Sequence, residues 1–154
     1  MDQSTSALER FRQVLRSDGV DAALGVLNEG VAHRYTGIFL LRGDELRNMH
    51  FFDKQRAPRS DYLDVVPFSD SFCQIAMREG KFESADTATD ARVDYSPYKG
   101  VVVSYQGVPL LDDALALSGT LCHFDSVEQA PDESALALLY QAARILPPHV
   151  TRPA

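Results

Sequence analysis

The chain has 154 residues, 45% of them hydrophobic and 24% charged, which suits one domain with a proper core and excludes a disordered chain. Fifteen Lys and Arg against 22 Asp and Glu leave a formal charge of −7, which argues against a nucleic-acid-binding module, because such a module needs a basic face to displace counterions from phosphates. The acidity is uneven: residues 1–60 carry nine basic and eight acidic side chains, residues 106–154 two and six, so any basic patch must come from the first half.

In chain order, Ser6-Ala7-Leu8-Glu9 reads as a capping box, and Leu8, Phe11 and Leu15 follow at helical spacing, so a helix is predicted over 6–17. Asp18-Gly19 stops it, and Ala23, Leu24, Leu27 and Val31 mark the inner face of a second helix. The period then switches: a β-branched and aromatic run at 35–41, turn chemistry at Arg42-Gly43-Asp44 and a second apolar run at 46–52 predict a β-hairpin. A polar stretch at 53–64 with Pro58 reads as a loop. Phe72, Ile75 and Ala76 predict a helix of about ten residues that ends at Gly80. A brief strand is expected at 81–85, a polar segment at 86–99, and a hairpin of two long strands at 100–111 and 115–125. A last helix follows Pro131, with Asp132 and Glu133 in its first turn, Leu136, Leu139, Ala143 and Leu146 on one face, and Pro147-Pro148 as its stop. Hairpins imply antiparallel pairing, so the sheet is expected to be mostly antiparallel, with the terminal helices on one face and residues 53–99 covering the other.

Four stretches in this order resemble a GAF domain. They are Ser71-Phe72-Cys73-Gln74-Ile75-Ala76, the segment 82–94 with Asp86, Asp90 and Arg92, Tyr105-Gln106-Gly107-Val108-Pro109-Leu110, and Gly119-Thr120-Leu121-Cys122-His123-Phe124-Asp125. The resemblance covers residues 19–147, after an N-terminal helix at 1–18 and before a tail at 148–154. It implies an α/β (α+β) fold: a six-stranded antiparallel sheet with N- and C-terminal helices on one face and a small-ligand pocket on the other. It also implies a sensing or dimerisation module of signalling proteins. Read physically, Gly107 and Gly119 suit a bulge or close backbone approach, Pro109 suits an unpaired edge, and alternation puts Cys122 and Phe124 on one face with Leu121 and His123 on the other.

The marks of the chemically defined subfamilies are mostly missing. There is no Asn-Lys…Phe-x-x-x-Asp-Glu signature of cyclic-nucleotide binders. Residues 86–99 lack the cysteine to which bilins attach, and Cys122-His123 lies in the later strand. The family's enzymes, free methionine sulfoxide reductases, would place their attacking cysteine in that same segment, although Cys73 falls near another of their positions. A thiol-based redox sensor or reductase using Cys73 and Cys122 therefore stays open as an alternative, beside two buried structural cysteines. Two cysteines without a C-x-x-C pair make no disulfide scaffold. His33, His50, His123 and His149 show no metal-ligand spacing, so no metal is expected. By analogy with the family, Phe51, Phe72, Cys73, Tyr95, Tyr98, Tyr105 and Cys122 are assigned to the pocket, to hold an unidentified small ligand with aromatic walls and hydroxyl tips.

The expected protein is a non-catalytic, cytoplasmic sensor that acts through a separate signalling partner or as a homodimer built on its terminal helices. No nucleic-acid or membrane partner and no certain cofactor is expected. An interaction module with a closed pocket is the other alternative. The polar N-terminus and the absence of an apolar run of roughly 18–20 residues give no sign of a signal peptide or a membrane span.

Overall fold

The computed structural model describes residues 3–58, 64–112 and 114–150. Six strands form one antiparallel sheet: β1 (Tyr35–Arg42), β2 (Glu45–Asp53), β3 (Val65–Pro67), β4 (Phe82–Ser84), β5 (Ser104–Leu111) and β6 (Leu117–Asp125), in spatial order β3-β2-β1-β6-β5-β4. Five helices surround it: α1 (Gln3–Asp18), α2 (Val20–Glu29), α3 (Cys73–Glu79), α4 (Glu133–Ile145) and α5 (Pro147–Val150). The antiparallel α/β architecture expected from the hairpins is the one observed.

Strand alternation divides the apolar residues between two cores. Ile38, Leu40, Val108, Leu110 and Leu121 point to one face, where they meet Phe11 and Leu15 of α1, Leu24 and Leu27 of α2, and Leu138, Leu139 and Ala142 of α4. Phe39, Tyr105, Cys122 and Phe124 point to the other, where α3, Val66, Phe82, Val93 and Val102 cover them. Most of these side chains are almost fully buried, and each large one removed from water contributes about 1.5–3 kcal/mol. The terminal helices therefore occupy one face and the middle segment the other, as the sequence pattern requires.

Several local expectations are corrected. The first helix starts at Gln3, so Ser6 lies inside it rather than capping it. The second ends at Glu29, and Val31 lies beyond it. The ten-residue helix is a 3-10 turn (Phe68–Asp70) and a seven-residue α3, because Ser71 takes an extended ψ of 152° between them. The strand expected from Gly100 starts at Ser104: the Tyr98 carbonyl accepts from both Val101 and Val102 at 2.9 Å, curling the valine run into a turn. β3 is a short strand that the sequence pattern did not single out; it pairs with Glu45–Arg47 of β2.

The glycine and proline readings have a geometric basis. A Cβ at Gly119 would lie 1.9 Å from the Phe39 carbonyl oxygen, beside the irregularity between Leu110 and Leu111. β4 pairs only with residues 105–107, so Pro109 sits past its end, on the open side of β5.

Candidate functional site

The pocket floor is set by register. Three rows cross the sheet on the face opposite α1 and α2: Tyr35–Phe124–Tyr105, Gly37–Cys122–Gly107 and Phe39–Thr120–Pro109. The middle row carries one small side chain between two glycines, which leaves a trough. Neighbouring rings fill it. Tyr105 folds over Gly107, where a Cβ would come within 2.5–2.7 Å of its ring and hydroxyl, and Phe124 lies 3.5 Å from the place of a Cβ at Gly37.

The roof is the segment from 66 to 102. Two pieces of it clasp each other: the Tyr95 hydroxyl donates to the Ser71 carbonyl at 2.6 Å, and Ser96 Oγ donates to the Asp70 carbonyl at 2.5 Å. Thr87 Oγ1 donates to the Val102 carbonyl at 2.6 Å and accepts from Gly100 N at 3.0 Å, which fixes the turn above the floor. The aspartates of the Asp86…Asp90-x-Arg92 tail are caps: each accepts from the backbone amide two residues on. Arg92 binds both Asp90 oxygens, at 2.9 and 2.6 Å, and stacks on the Phe82 ring at 4.7 Å. That guanidinium holds the Asp90 carboxyl at a pKa of about 2. This motif builds the roof.

Between floor and roof remains a cavity of about 40 Å3, walled by Phe39, Val66, Ser71, Phe72, Cys73, Tyr98, Val102, Tyr105 and Phe124. Ligand pockets for drug-sized molecules span roughly 300–1,000 Å3, so as it stands this one has room for water-sized occupants only. Of the seven residues assigned from sequence, Phe72, Cys73, Tyr98 and Tyr105 line it. Phe51 is displaced along the sheet, stacked on Tyr35 at 5.4 Å. Tyr95 is 45% exposed and acts on the Ser71 carbonyl from outside. Cys122 lies beneath, fully buried, its thiol 3.7 Å from the Gly37 carbonyl. Phe39, Val66, Ser71, Val102 and Phe124 were not assigned, although alternation had placed Phe124 on the correct face.

The thiols are shielded. Cys73 Sγ accepts from Thr120 Oγ1 at 3.1 Å and from the Tyr105 hydroxyl at 3.5 Å. Burial nevertheless pushes the Cys73 thiol up and the Cys122 thiol well above the ordinary range, so both are held neutral. The Tyr105 hydroxyl is likewise pushed well up by burial. Among the described residues no group of three or more His, Cys, Asp or Glu side chains could hold a metal ion.

The opposite face of the same strands is polar at one end. Thr36, His123 and Gln106 form a row, with Asn28 and His33 above it, all buried. Asn28 Nδ2 donates to Thr36 Oγ1 at 2.9 Å, and Thr36 Oγ1 meets His123 Nδ1 at 2.6 Å. The His33 and His123 rings stack at 5.9 Å. Burial drives the His123 imidazole down to about 3 and lowers His33 as well. Asp125 is engaged separately, accepting from Arg34 N at 3.0 Å and Gln129 Nε2 at 3.2 Å, so it does not join His123 in a chelating pair.

This arrangement is the fold of a GAF domain. A GAF domain of an Acinetobacter phosphoenolpyruvate-protein phosphotransferase superposes with a TM-score of 0.77 at 16% identity, covering 98% of this chain and 94% of that one. The free methionine-R-sulfoxide reductase of Neisseria meningitidis, solved with its substrate, gives 0.73 at 20% identity over 98% and 92%. The phycoerythrobilin-bound GAF domain of a cyanobacterial phytochrome gives 0.72 at 16% identity over 97% and 95%. No protein-family model and no curated protein matches the sequence. The fold thus hosts both sensors and reductases. No helix among the described residues is long and apolar enough to cross a membrane.

Proposed function

We propose that this chain is a non-catalytic sensing module whose aromatic pocket rests closed and opens at the 66–102 roof to admit a small molecule. The observation that carries this reading is the pocket itself. Its walls are apolar and aromatic, with the hydroxyls of Tyr105 and Thr120 at the floor, and its roof is clasped by the two contacts that Tyr95 and Ser96 make. Both contacts lie outside the strands, so the clasp can part while β3 and β4, which belong to the same segment, stay paired in the sheet. The signal is a displacement of the roof, read by a second copy or by a separate signalling protein in the cytoplasm. In the dimeric form the terminal helices α1 and α4 supply the interface, and a monomeric sedimentation mass at micromolar concentration would remove that part.

A reductase reading has one observation in its favour: Cys73 borders the cavity in a fold shared with free methionine-R-sulfoxide reductases. Against it, both thiols are buried and neutral, and residues 86–102 contain no cysteine to attack a substrate above the floor. Incubation with free L-methionine-R-sulfoxide and dithiothreitol separates the two. The sensing proposal expects no methionine and two intact thiols, while multiple turnovers would transfer the assignment to the reductase.

A further inference from the structure

The aromatic pocket is not where this chain has most room. A cleft of about 620 Å3 opens on the other side of the molecule, between α1, α2 and the end of β2. Arg10, Lys54 and Arg56 reach it, against Asp18 and Glu29, so the cleft is locally cationic in a chain whose formal charge is −7.

The three cations differ in what already holds them. Arg10 is committed to Glu29, at 2.6 and 3.1 Å. Lys54 Nζ donates to the backbone and side-chain oxygens of Asn28, at 2.9 and 2.5 Å; both are neutral, and no carboxylate among the described residues is in direct contact with its charge. The Arg56 side chain makes no hydrogen bond or ion pair with the described residues. Its backbone nevertheless is fixed, at a left-handed φ of 51°. Arg56 N donates to the Asp53 carbonyl at 3.0 Å, while the Asp53 carboxylate accepts from Gln55 N at 2.9 Å and Ala57 N at 3.2 Å. Lys54 is placed from the other side, because its partner Asn28 is itself anchored to Thr36 Oγ1 and the His33 carbonyl, at 2.9 and 3.0 Å.

Beside these cations the lining includes an aromatic ring and aliphatic side chains. Phe52 lies against Gly25 of α2, where a Cβ would come within 2.9 Å of the ring, so glycine there lets the ring close down on the helix. Val14 and Val26 continue that wall.

We propose that the cleft is a second small-molecule site, separate from the aromatic pocket, for an organic anion: a carboxylate or phosphate seated between Lys54 and Arg56, with a flat apolar body against Phe52. An anion there supplies a charged acceptor to Lys54, whose side chain meets only the neutral Asn28 oxygens among the described residues, and acceptors to Arg56, whose side chain has none among them, while an aryl group gains contact area that a bare anion does not. The site does not depend on the pocket's opening.

The test titrates phenyl phosphate, and separately benzoate, into the isotope-labelled full chain, following amide resonances at low salt. At least one of the two is expected to give saturable shifts at Gly25, Val26, Lys54 and Arg56, with an affinity at least roughly tenfold above that of inorganic phosphate or benzyl alcohol. Lys54→Gln with Arg56→Gln is expected to weaken binding by roughly tenfold or more, and Arg56→Gln alone, at an exposed side chain with no partner among the described residues, to weaken it measurably in a folded protein. Absence of cleft shifts with both compounds at tens of millimolar overturns the proposal. So do an affinity unchanged in Arg56→Gln, and shifts confined to Phe72, Cys73 and Tyr105.

Discussion

Acid should destabilise this fold well before its carboxylates protonate, and His123 is the reason. Its ring is 1% exposed, its Nδ1 faces the Thr36 hydroxyl at 2.6 Å, and its other neighbours include His33 and the Lys54 ammonium, neither of which welcomes a second cation. The folded imidazole titrates at about 3, whereas an unfolded histidine titrates near 6.5. The unfolded chain therefore binds the proton first. The neutral ring's contribution to stability is complete above about pH 6.5 and falls by about 1.4 kcal/mol per unit below it, until the folded value is reached. At pH 4.5 the loss from this residue is about 3 kcal/mol relative to pH 8, a large part of the 5–15 kcal/mol typical of a domain. Asp90, held at about 2, gives up its own contribution only at lower pH, between its unfolded value and that one, so it does not confuse the window. Urea unfolding at pH 8 and pH 4.5 measures the effect, with His123→Gln as the reference that keeps a polar side chain and does not titrate. The wild-type chain should lose about 3 kcal/mol more than the variant between the two pH values. Parallel losses in both proteins would refute the reasoning, because the ring would then be hydrated or already charged.

Three further outcomes follow from the site. Gly107→Ala should cost about 1–3 kcal/mol by forcing Tyr105 off its glycine, and most of that cost should vanish in a Tyr105→Ala background, where urea unfolding of all four proteins gives the coupling directly. Asp90→Asn should cost about 1 kcal/mol, from a weakened cap and the lost pairing with Arg92, and it should speed amide exchange at 84–94 without touching α1 or α2. Cys73 and Cys122 should resist a thiol reagent such as dithionitrobenzoate in the native protein, reacting at the rate of global or roof opening; complete modification within seconds at neutral pH would contradict their buried, neutral state.

The sequence made the sheet readable because its hairpins carry two signals at once. Arg42-Gly43-Asp44 marks a turn, and the alternation around it fixes which side chains go in. The same alternation put Cys122 and Phe124 on the pocket face before any geometry was known. It failed at Val101-Val102-Val103, where β-branched residues read as strand but the Tyr98 carbonyl captures two amides and makes a turn. It also passed over Val65-Val66-Pro67, too short to show a period. For the pocket, Phe72, Cys73 and Tyr105 came from motif position and Tyr98 from general analogy with the family, whereas Phe39 and Val66 depend on cross-strand register and on β3, neither of which a local pattern contains. The polar row of Thr36, Gln106 and His123 was invisible for a related reason. Alternation put His123 on the Leu121 face, but only cross-strand register brings Thr36 and Gln106 beside it, and only the helices packed over that end of the sheet bury the row.

The account's central claim is that the closed pocket opens for a small molecule, and native mass spectrometry of the freshly purified protein tests it most directly. The protein should be examined as isolated and after incubation with a small-metabolite extract, beside Val102→Trp, whose indole replaces the small isopropyl group in the cavity wall and fills the space. The expected result is a discrete small-molecule adduct on the wild-type chain that Val102→Trp lacks, together with slower amide exchange in residues 66–102 of the bound form. A wild-type chain that stays bare under both conditions, with exchange in that segment unchanged, would contradict the claim and leave a closed interaction module in its place.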